Sequence, residues 1–414
     1  MSRPEAGEQA TILLMVANDR ASFVSRRIEI AIAAQELGFD VHVALPPAAA
    51  TTEDHFTDLE ADECEKRLHA SGVRVHDIPL ARRGANMIYE LRCLGSMFDL
   101  YASLKPDIVH HFTVKPILYG SFVASLTRVP VVINSWVGLG FLFGGEESGW
   151  FSTRRLVTRF YGLLAKRPAM ISVFQNPDNL DVLVTEALIP RERTRLIRGS
   201  GVDVELFSPQ SSERLPDTPL IVLVARLLWD KGIGEFVEAA TSLRAEGVHA
   251  RFALVGGLDP VNPRSISRGQ VRAWEASGVI EWWGQRSDMH EVYSSASIVC
   301  LPSYAEGVPR SLLEAAAMAR AIVASDVPGC REIVLPGITG LLVPPRDGRA
   351  LAGALSSLIA DPVLCKQLGA AGRELVTREF SLQQVVAATM VLYGENRNSA
   401  TASSHLASPG ARHV

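Results

Sequence analysis

Short apolar runs rich in β-branched residues alternate along this chain with longer stretches whose apolar positions recur at helical spacing. TILLMVA (11–17) precedes the helical pattern RRIEIAIAAQELG, and DVHVALP, DIVHHF and PVVIN follow, with the helical ILYGSFVASLT between the last two. The second half restarts the rhythm with PLIVLVARL, KGIGEFVEAATSLRAEG, ARFALVGG, VIEWWG, SIVCLPS, AIVASD and GLLVPP. Such alternation is the pattern of a parallel sheet with crossover helices, so two wound α/β sheets are predicted in tandem. Between them lies PRERTRLIRGSGVDVELFSPQSSERLPDTP, rich in Pro, Ser and charge, which places a linker near residues 200–217.

The predicted organisation is a first domain over 1–200, a second over 217–377, a helix over 378–394 and a polar, small-residue tail over 395–414 that reads as disordered. A length of 414 residues agrees with two domains and hence a cleft. The run VPVVINSWVGLGFLFGG carries no charge but is broken by Pro130, Asn134 and glycines, so it does not read as a spanning helix. The N-terminal apolar run lacks a basic lead, so it reads as a first buried strand and not as a signal peptide. A cytoplasmic protein with at most peripheral membrane contact is expected.

With 47% hydrophobic and 21% charged residues the chain has the composition of a folded globular protein. A formal charge of -4 supplies no overall basic field, which argues against nucleic acid as a partner. The five cysteines, Cys64, Cys93, Cys300, Cys330 and Cys365, are scattered without a C-x-x-C pair and read as reduced thiols. The segment FSTRRLVTRFYGLLAKR (151–167) sets Arg154, Arg155, Arg159, Lys166 and Arg167 among apolar residues and contains no acid. It fits two readings equally, a basic amphipathic helix lying on anionic lipid or a helix packed on the first sheet with solvated charges.

Chemistry concentrates in YAEGVPRSLLEA (304–315), where seven residues separate Glu306 from Glu314. Pro309 suits the first turn of a helix, so Glu306 falls in the preceding loop and Glu314 inside the helix. A helix opening after the strand SIVCLPS stands at the carboxyl edge of a parallel sheet, where free N–H groups attract anions. Carboxylates do not bind phosphate, but they accept hydrogen bonds from hydroxyls. A ligand with both sugar hydroxyls and phosphates, such as a nucleotide sugar, uses both features.

The longer stretch PSYAEGVPRSLLEAAAMARAIVASDVPGCREIV (302–334) resembles the E-x7-E donor-site signature of glycosyltransferase family 4, retaining enzymes of GT-B fold. The resemblance extends through VARLLWDKG, LVGGLDPVNPRSI, VIEWWGQRSDM and GITGLLVPP. It reaches more loosely through NDRASFVSRR, HHFTVKPILYGS and INSWVGLGF, and is strongest to members that extend polyprenyl-diphosphate-linked saccharides. It implies two Rossmann-like domains facing across a cleft, with a C-terminal helix crossing back to the first.

The resemblance also implies residue roles. Arg226 and Lys231 match the diphosphate-binding pair, and a planar fork with a point charge can neutralise a leaving diphosphate without metal. Glu314 would hold ribose hydroxyls and Glu306 would lie against the transferred sugar. Gly256 and Gly257 would let a loop approach the nucleotide, Gly284 and Arg286 would meet the base, and Gly307, Val308, Pro309, Arg310, Ser311 and Leu312 would complete the donor site. The looser matches put Thr113, Lys115, Asn134 and Gly138 at an acceptor site. Phe112 occupies the position where many members carry a second histidine, which leaves His110 and His111 as candidates for contact with a sugar or as structural residues of a buried strand. No cofactor and no metal are expected. The function implied is sugar transfer from a nucleotide-sugar donor, UDP-linked, to a lipid-linked saccharide in surface polysaccharide or glycoprotein glycan assembly. A nucleotide-sugar 2-epimerase or hydrolase, or a non-catalytic donor-binding subunit of a glycan-synthesis complex, are the rival readings.

Overall fold

The computed structural model describes residues 10–47, 66–80, 86–137, 150–167, 169–187, 189–209, 218–260 and 262–406. The chain divides into two compact units, one of Met1–Ile197 with Val386–Val414 and the other of Arg198–Val385.

The first unit holds a seven-stranded sheet, built from β1 (Ile12–Ala17), β2 (Asp40–Leu45), β3 (Arg74–Asp77), β4 (Ile108–Phe112), β5 (Val131–Trp136), β6 (Met170–Phe174) and β7 (Thr194–Leu196). The order is β3-β2-β1-β4-β5-β6-β7 and every pairing is parallel. β1 and β4 are buried almost throughout because crossover helices cover both faces. These helices are α1 (Arg20–Glu36), α2 (Met87–Leu104), α3 (Val114–Thr127), α4 (Trp150–Ala165) and α5 (Pro177–Ala187). The Asp19 carboxylate caps α1 by accepting from the Ser22 N–H at 2.9 Å. Such a cap contributes about 1 kcal/mol and fixes where the chain turns from strand to helix.

The second unit holds a six-stranded parallel sheet of β8 (Leu220–Val224), β9 (Arg251–Val255), β10 (Glu281–Gly284), β11 (Ile298–Leu301), β12 (Ala321–Ser325) and β13 (Leu341–Val343), ordered β10-β9-β8-β11-β12-β13. Its helices are α6 (Ile233–Ala245), α7 (Arg268–Ala276), α8 (Met289–Ser295), α9 (Arg310–Ala317), α10 (Pro328–Arg331), α11 (Gly348–Ala360) and α12 (Pro362–Glu379). Two apolar clusters lie on this sheet, one containing Val222, Leu312, Leu313 and Ile322, the other Ile221, Phe236, Val323 and Leu355. Neighbouring positions on one strand, such as Ile221 and Val222, go to opposite layers because side chains alternate across a sheet.

The last helix, α13 (Leu382–Leu406), differs from the expected 378–394 at both ends. α12 continues to Glu379, and the chain from Val386 onward packs with the first unit. There Tyr393 meets Phe39 edge to face at 5.9 Å, and the Arg397 Nε donates to Thr11 Oγ1 at 3.1 Å. Part of the tail read as disordered is therefore helical, and residues 407–414 lie outside the described residues. The uncharged run at 129–145 contributes strand β5. Cys93, Cys300 and Cys330 are free and buried and Cys365 is free and partly buried, whereas Cys64 lies outside the described residues.

Candidate functional site

Both sheets reverse their winding beside the first strand of each unit, between β1 and β4 and between β8 and β11. Open parallel sheets bind ligands beyond the strand carboxyl ends at such a point. In the second unit, β8 delivers Arg226, β9 delivers Gly256 and Gly257, and β11 leads into the loop carrying Glu306.

The Lys231 Nζ donates to Glu306 Oε1 at 2.6 Å, with both side chains mostly buried. Three bonds prepare this meeting. The Asp230 carbonyl accepts from the Tyr304 N–H at 2.9 Å and from the Ser303 hydroxyl at 3.1 Å, and the Tyr304 hydroxyl donates to Glu235 Oε1 at 2.7 Å. The turn carrying Lys231 is thereby tied to the loop carrying Glu306, and Glu235 of α6 anchors the same loop. The Arg226 Nη1 donates to Asp259 Oδ2 at 2.8 Å.

The second glutamate lies inside the helix, as its distance from Pro309 predicts. Glu314 is buried on α9, with Oε1 accepting from the Arg310 Nε one turn earlier at 2.5 Å and Oε2 from the Tyr293 hydroxyl of α8 at 3.0 Å. Burial first, and then the Glu314 charge, hold the Tyr293 ionisation well above the ordinary tyrosine range, so this hydroxyl remains a donor. A hydrogen bond to a charged group contributes about 1.5–3 kcal/mol, enough to fix the carboxylate in one orientation.

Gly256 explains its own residue type. Its φ is +154°, and a Cβ there would stand 1.8 Å from the Ala225 carbonyl oxygen, so the loop after β9 comes against the loop after β8 only with glycine. The Gly256 N–H donates to the Gly284 carbonyl at 2.7 Å, and its own carbonyl accepts from the Trp282 indole at 3.0 Å. Gly257 and Gly284 thus border the same edge, while Arg286 is exposed and paired with Asp288. Gly307 and Ser311 flank the start of α9. Pro309 is the residue before α9, one position earlier than a first-turn proline. Val308 and Leu312 belong to the apolar core, so their side chains are committed to packing and only their backbone atoms are left for the expected donor contact.

In the first unit the two histidines face opposite layers. The His111 Nδ1–H donates to Asn134 Oδ1 at 2.7 Å, and its Nε2 accepts from the Tyr101 hydroxyl at 2.8 Å. Asn134 Nδ2 donates in turn to the Ser121 and Tyr161 hydroxyls, at 3.0 and 3.1 Å. His111 and Asn134 are wholly buried, so the expected acceptor or catalytic contact is corrected: both serve a polar network inside the core. Burial pushes the His111 pKa down to about 4, against the raising effect of its bond to Asn134.

His110 is bonded through Nδ1 to the Tyr393 hydroxyl at 2.6 Å and through Nε2 to the Ser135 hydroxyl at 2.7 Å. With both nitrogens engaged and 2% of its surface exposed, it too holds structure, here the docking of α13. Burial, then the neighbouring His111 and Arg27, holds its pKa well below the ordinary range. Phe112 is filled by packing: its ring lies 4.5 Å beneath the Arg27 guanidinium and 4.0 Å from the His110 ring. Thr113 and Lys115 stand partly exposed after β4. Thr113 has φ +74°, a strained value for a threonine, and its hydroxyl donates to Asn18 Oδ1 at 2.7 Å. Lys115 donates to Glu90 at 2.8 Å. Gly138 lies outside the described residues.

Asp259 and Tyr293 are the site residues that sequence reasoning missed. An acid two positions after the glycine pair of LVGGLDP is a local signal for the first; for Tyr293 only the contact across α8 and α9 reveals a role. Chemically, this edge offers two cations and the start of a helix to an anion, and two carboxylates to hydroxyls.

Residues 12–162 match the family model described as glycosyl transferase 4-like, and residues 218–361 match glycosyl transferases group 1. An alpha-maltose-1-phosphate synthase of Mycolicibacterium smegmatis is 31% identical over 380 residues, covering 82% of this chain and 94% of that protein. The N,N'-diacetylbacillosaminyl-diphospho-undecaprenol alpha-1,3-N-acetylgalactosaminyltransferase of Campylobacter jejuni is 28% identical over 323 residues, 75% of this chain and 83% of the relative. Among solved structures, HepE of Anabaena in complex with UDP superposes with a TM-score of 0.73 at 16% identity, covering 93% of this chain and 100% of that one. Sucrose-phosphate synthase of Thermosynechococcus elongatus does so with a TM-score of 0.73 at 22% identity, covering 93% and 98%. The fold and site define a glycosyltransferase of GT-B type acting in glycan synthesis. The chain belongs to glycosyltransferase family 4.

Proposed function

We propose that the protein is a metal-independent, retaining hexosyltransferase that takes a UDP-sugar in its second unit and transfers the sugar to a polyprenyl-diphosphate-linked saccharide. The observation that carries this reading is the Lys231–Glu306 pair at 2.6 Å, which joins the turn that follows Arg226 to the loop that leads into α9 and sets positive charge next to a hydroxyl acceptor. Arg226 and Lys231 neutralise the leaving diphosphate, and Glu314 takes the ribose hydroxyls. Transfer with retention proceeds as the departing diphosphate oxygen helps deprotonate the incoming hydroxyl on the same face of the sugar. Charge and position, rather than a protein nucleophile, then lower the barrier. UDP in complex with HepE supports the donor class, and the lipid-linked substrate in the name of the Campylobacter relative supports the acceptor class. An acceptor anchored by a polyprenyl tail requires the enzyme to work at a membrane surface.

The test is incubation with a panel of nucleotide sugars, following nucleotide release, anomeric configuration and product partition into butanol. UDP released only in the presence of a lipid-linked saccharide, with the α configuration kept from an α-linked donor, is expected; inversion refutes retention. EDTA leaves the rate unchanged, whereas complete inhibition reversed by Mg²⁺ or Mn²⁺ refutes the metal-free reading. A second reading is favoured by the alpha-maltose-1-phosphate synthase relative, namely a water-soluble sugar-phosphate product. It is distinguished by label that stays in the aqueous phase. Sugar release or epimer formation without acceptor identifies the hydrolase or epimerase alternative.

A further inference from the structure

Helix α2 is apolar on two opposite faces. Cys93, Met97 and Tyr101 are buried against the sheet of the first unit. Ile88, Leu91, Gly95, Phe98 and Ala102 recur at alternating spacings of three and four on the other side, and all are exposed. Met87 at the start of the helix is 80% exposed and Ile88 and Leu91 are about 60% exposed. A helix with a second apolar stripe facing water is unusual unless something covers it.

The stripe is not isolated. Helix α3 packs between α2 and α4. Its Phe122 and Leu126 are exposed, as are Phe160 and Leu163 of α4, and the Phe122 and Phe160 rings lie 6.1 Å apart. These three helices carry half of the exposed large hydrophobic side chains among the described residues. Among the described residues, the exposed charges on them and on the residues that directly follow each helix are Arg92, Lys105, Arg128, Arg159, Lys166 and Arg167, against the single acid Asp99. A chain with formal net charge -4 has therefore gathered cations around a concentration of surface apolar groups that holds half of those exposed among the described residues.

We infer that the outer layer of α2, α3 and α4 is a docking surface for an anionic lipid bilayer. Apolar side chains enter the headgroup boundary and the surrounding cations meet lipid phosphates, the pairing that interfacial elements use. Charge decides against a second copy of the chain, because a dimer on this face brings the same cations together. Among the described residues no single helix is long and apolar enough to cross a membrane, so the contact is lateral. The surface belongs to the first unit and the proposed donor residues to the second, and docking requires neither donor nor acceptor.

The experiment is flotation of the full chain with phosphatidylcholine vesicles, with and without phosphatidylglycerol, at low and high salt and without substrates. Two variants accompany the wild type: Ile88→Ser with Leu91→Ser and Leu163→Ser, and Arg159→Glu with Lys166→Glu. All five sites are exposed, and circular dichroism checks that the fold is kept. Wild type is expected to float only with the anionic vesicles and to be released by salt, with partitioning lowered roughly tenfold or more in each variant. The inference is overturned if wild type ignores anionic vesicles, or if both variants bind as it does. It is also overturned if sedimentation shows a dimer that the serine variant dissociates and the vesicles do not compete with. Because transfer to a water-soluble acceptor is read separately, failure of docking and failure of the proposed reaction are distinct results.

Discussion

The histidine pair of β4 gives a quantitative test of what its residues do. If His111 is locked in the core as a neutral ring, the unfolded chain binds a proton there near pH 6.5 and the folded chain near pH 4. Between those values the unfolded state holds more protons. Stability from this ring is therefore complete above pH 6.5 and lost as pH falls toward 4, by about 1.4 kcal/mol per pH unit. The full loss is roughly 3 kcal/mol, a large share of a marginal domain stability. Burial of His110 acts in the same direction, so a difference measurement is needed. His111→Gln removes the titration while also removing packing, and its stability curve lies below wild type at pH 7.5. The two curves should close by roughly 3 kcal/mol on going to pH 4, since only the wild type continues to lose stability from this site. Urea series equilibrated at each pH, followed by a hydrogen-exchange pulse at fixed pH and analysis of the β4 peptide, report the first unit alone. A gap that stays constant with pH refutes the reasoning, because the ring would then titrate alike in both states, as an accessible catalytic histidine does.

Three further outcomes are expected. Arg226→Ala and Lys231→Ala each lower kcat by roughly 100-fold or more with an unchanged circular dichroism spectrum, and near wild-type turnover in both removes the proposed role of these cations. Tyr293→Phe leaves Glu314 without one of its two donors; the KM for the nucleotide sugar rises roughly fivefold or more while kcat changes less, and an unchanged KM shows that the hydroxyl does not position the carboxylate. In Gly120→Ala the new Cβ falls 2.2 Å from His111 Nε2, so the ring must give up its bond to Tyr101. Denaturant midpoints should show a loss of roughly 1–3 kcal/mol confined to the first unit.

The long central strands of both sheets are legible because each is a local run of apolar residues. The charged edge of the second unit is legible because Glu306, Pro309 and Glu314 fall within one loop and one helix, so sequence spacing alone places them. Strands β3, β6 and β7 are not legible. RVHD is a partly exposed edge segment, TRL has three residues, and MISVF is short, so each becomes a strand only by pairing with a neighbour already in place.

The roles of His110, His111 and Asn134 were likewise beyond the sequence. A strand in a parallel sheet buries both faces, so the pattern says that these residues are near the core without saying what each face meets. Their partners arrive from far along the chain, Tyr393 being 283 residues from His110. Asp259 and Tyr293 became site residues for the same reason, since an acid on one loop and a hydroxyl on another helix gain their function only from the Arg226 and Glu314 side chains that folding brings to them. Local spacing determined the elements and the charged edge; long-range packing decided which polar groups bind to each other and which remain for a ligand.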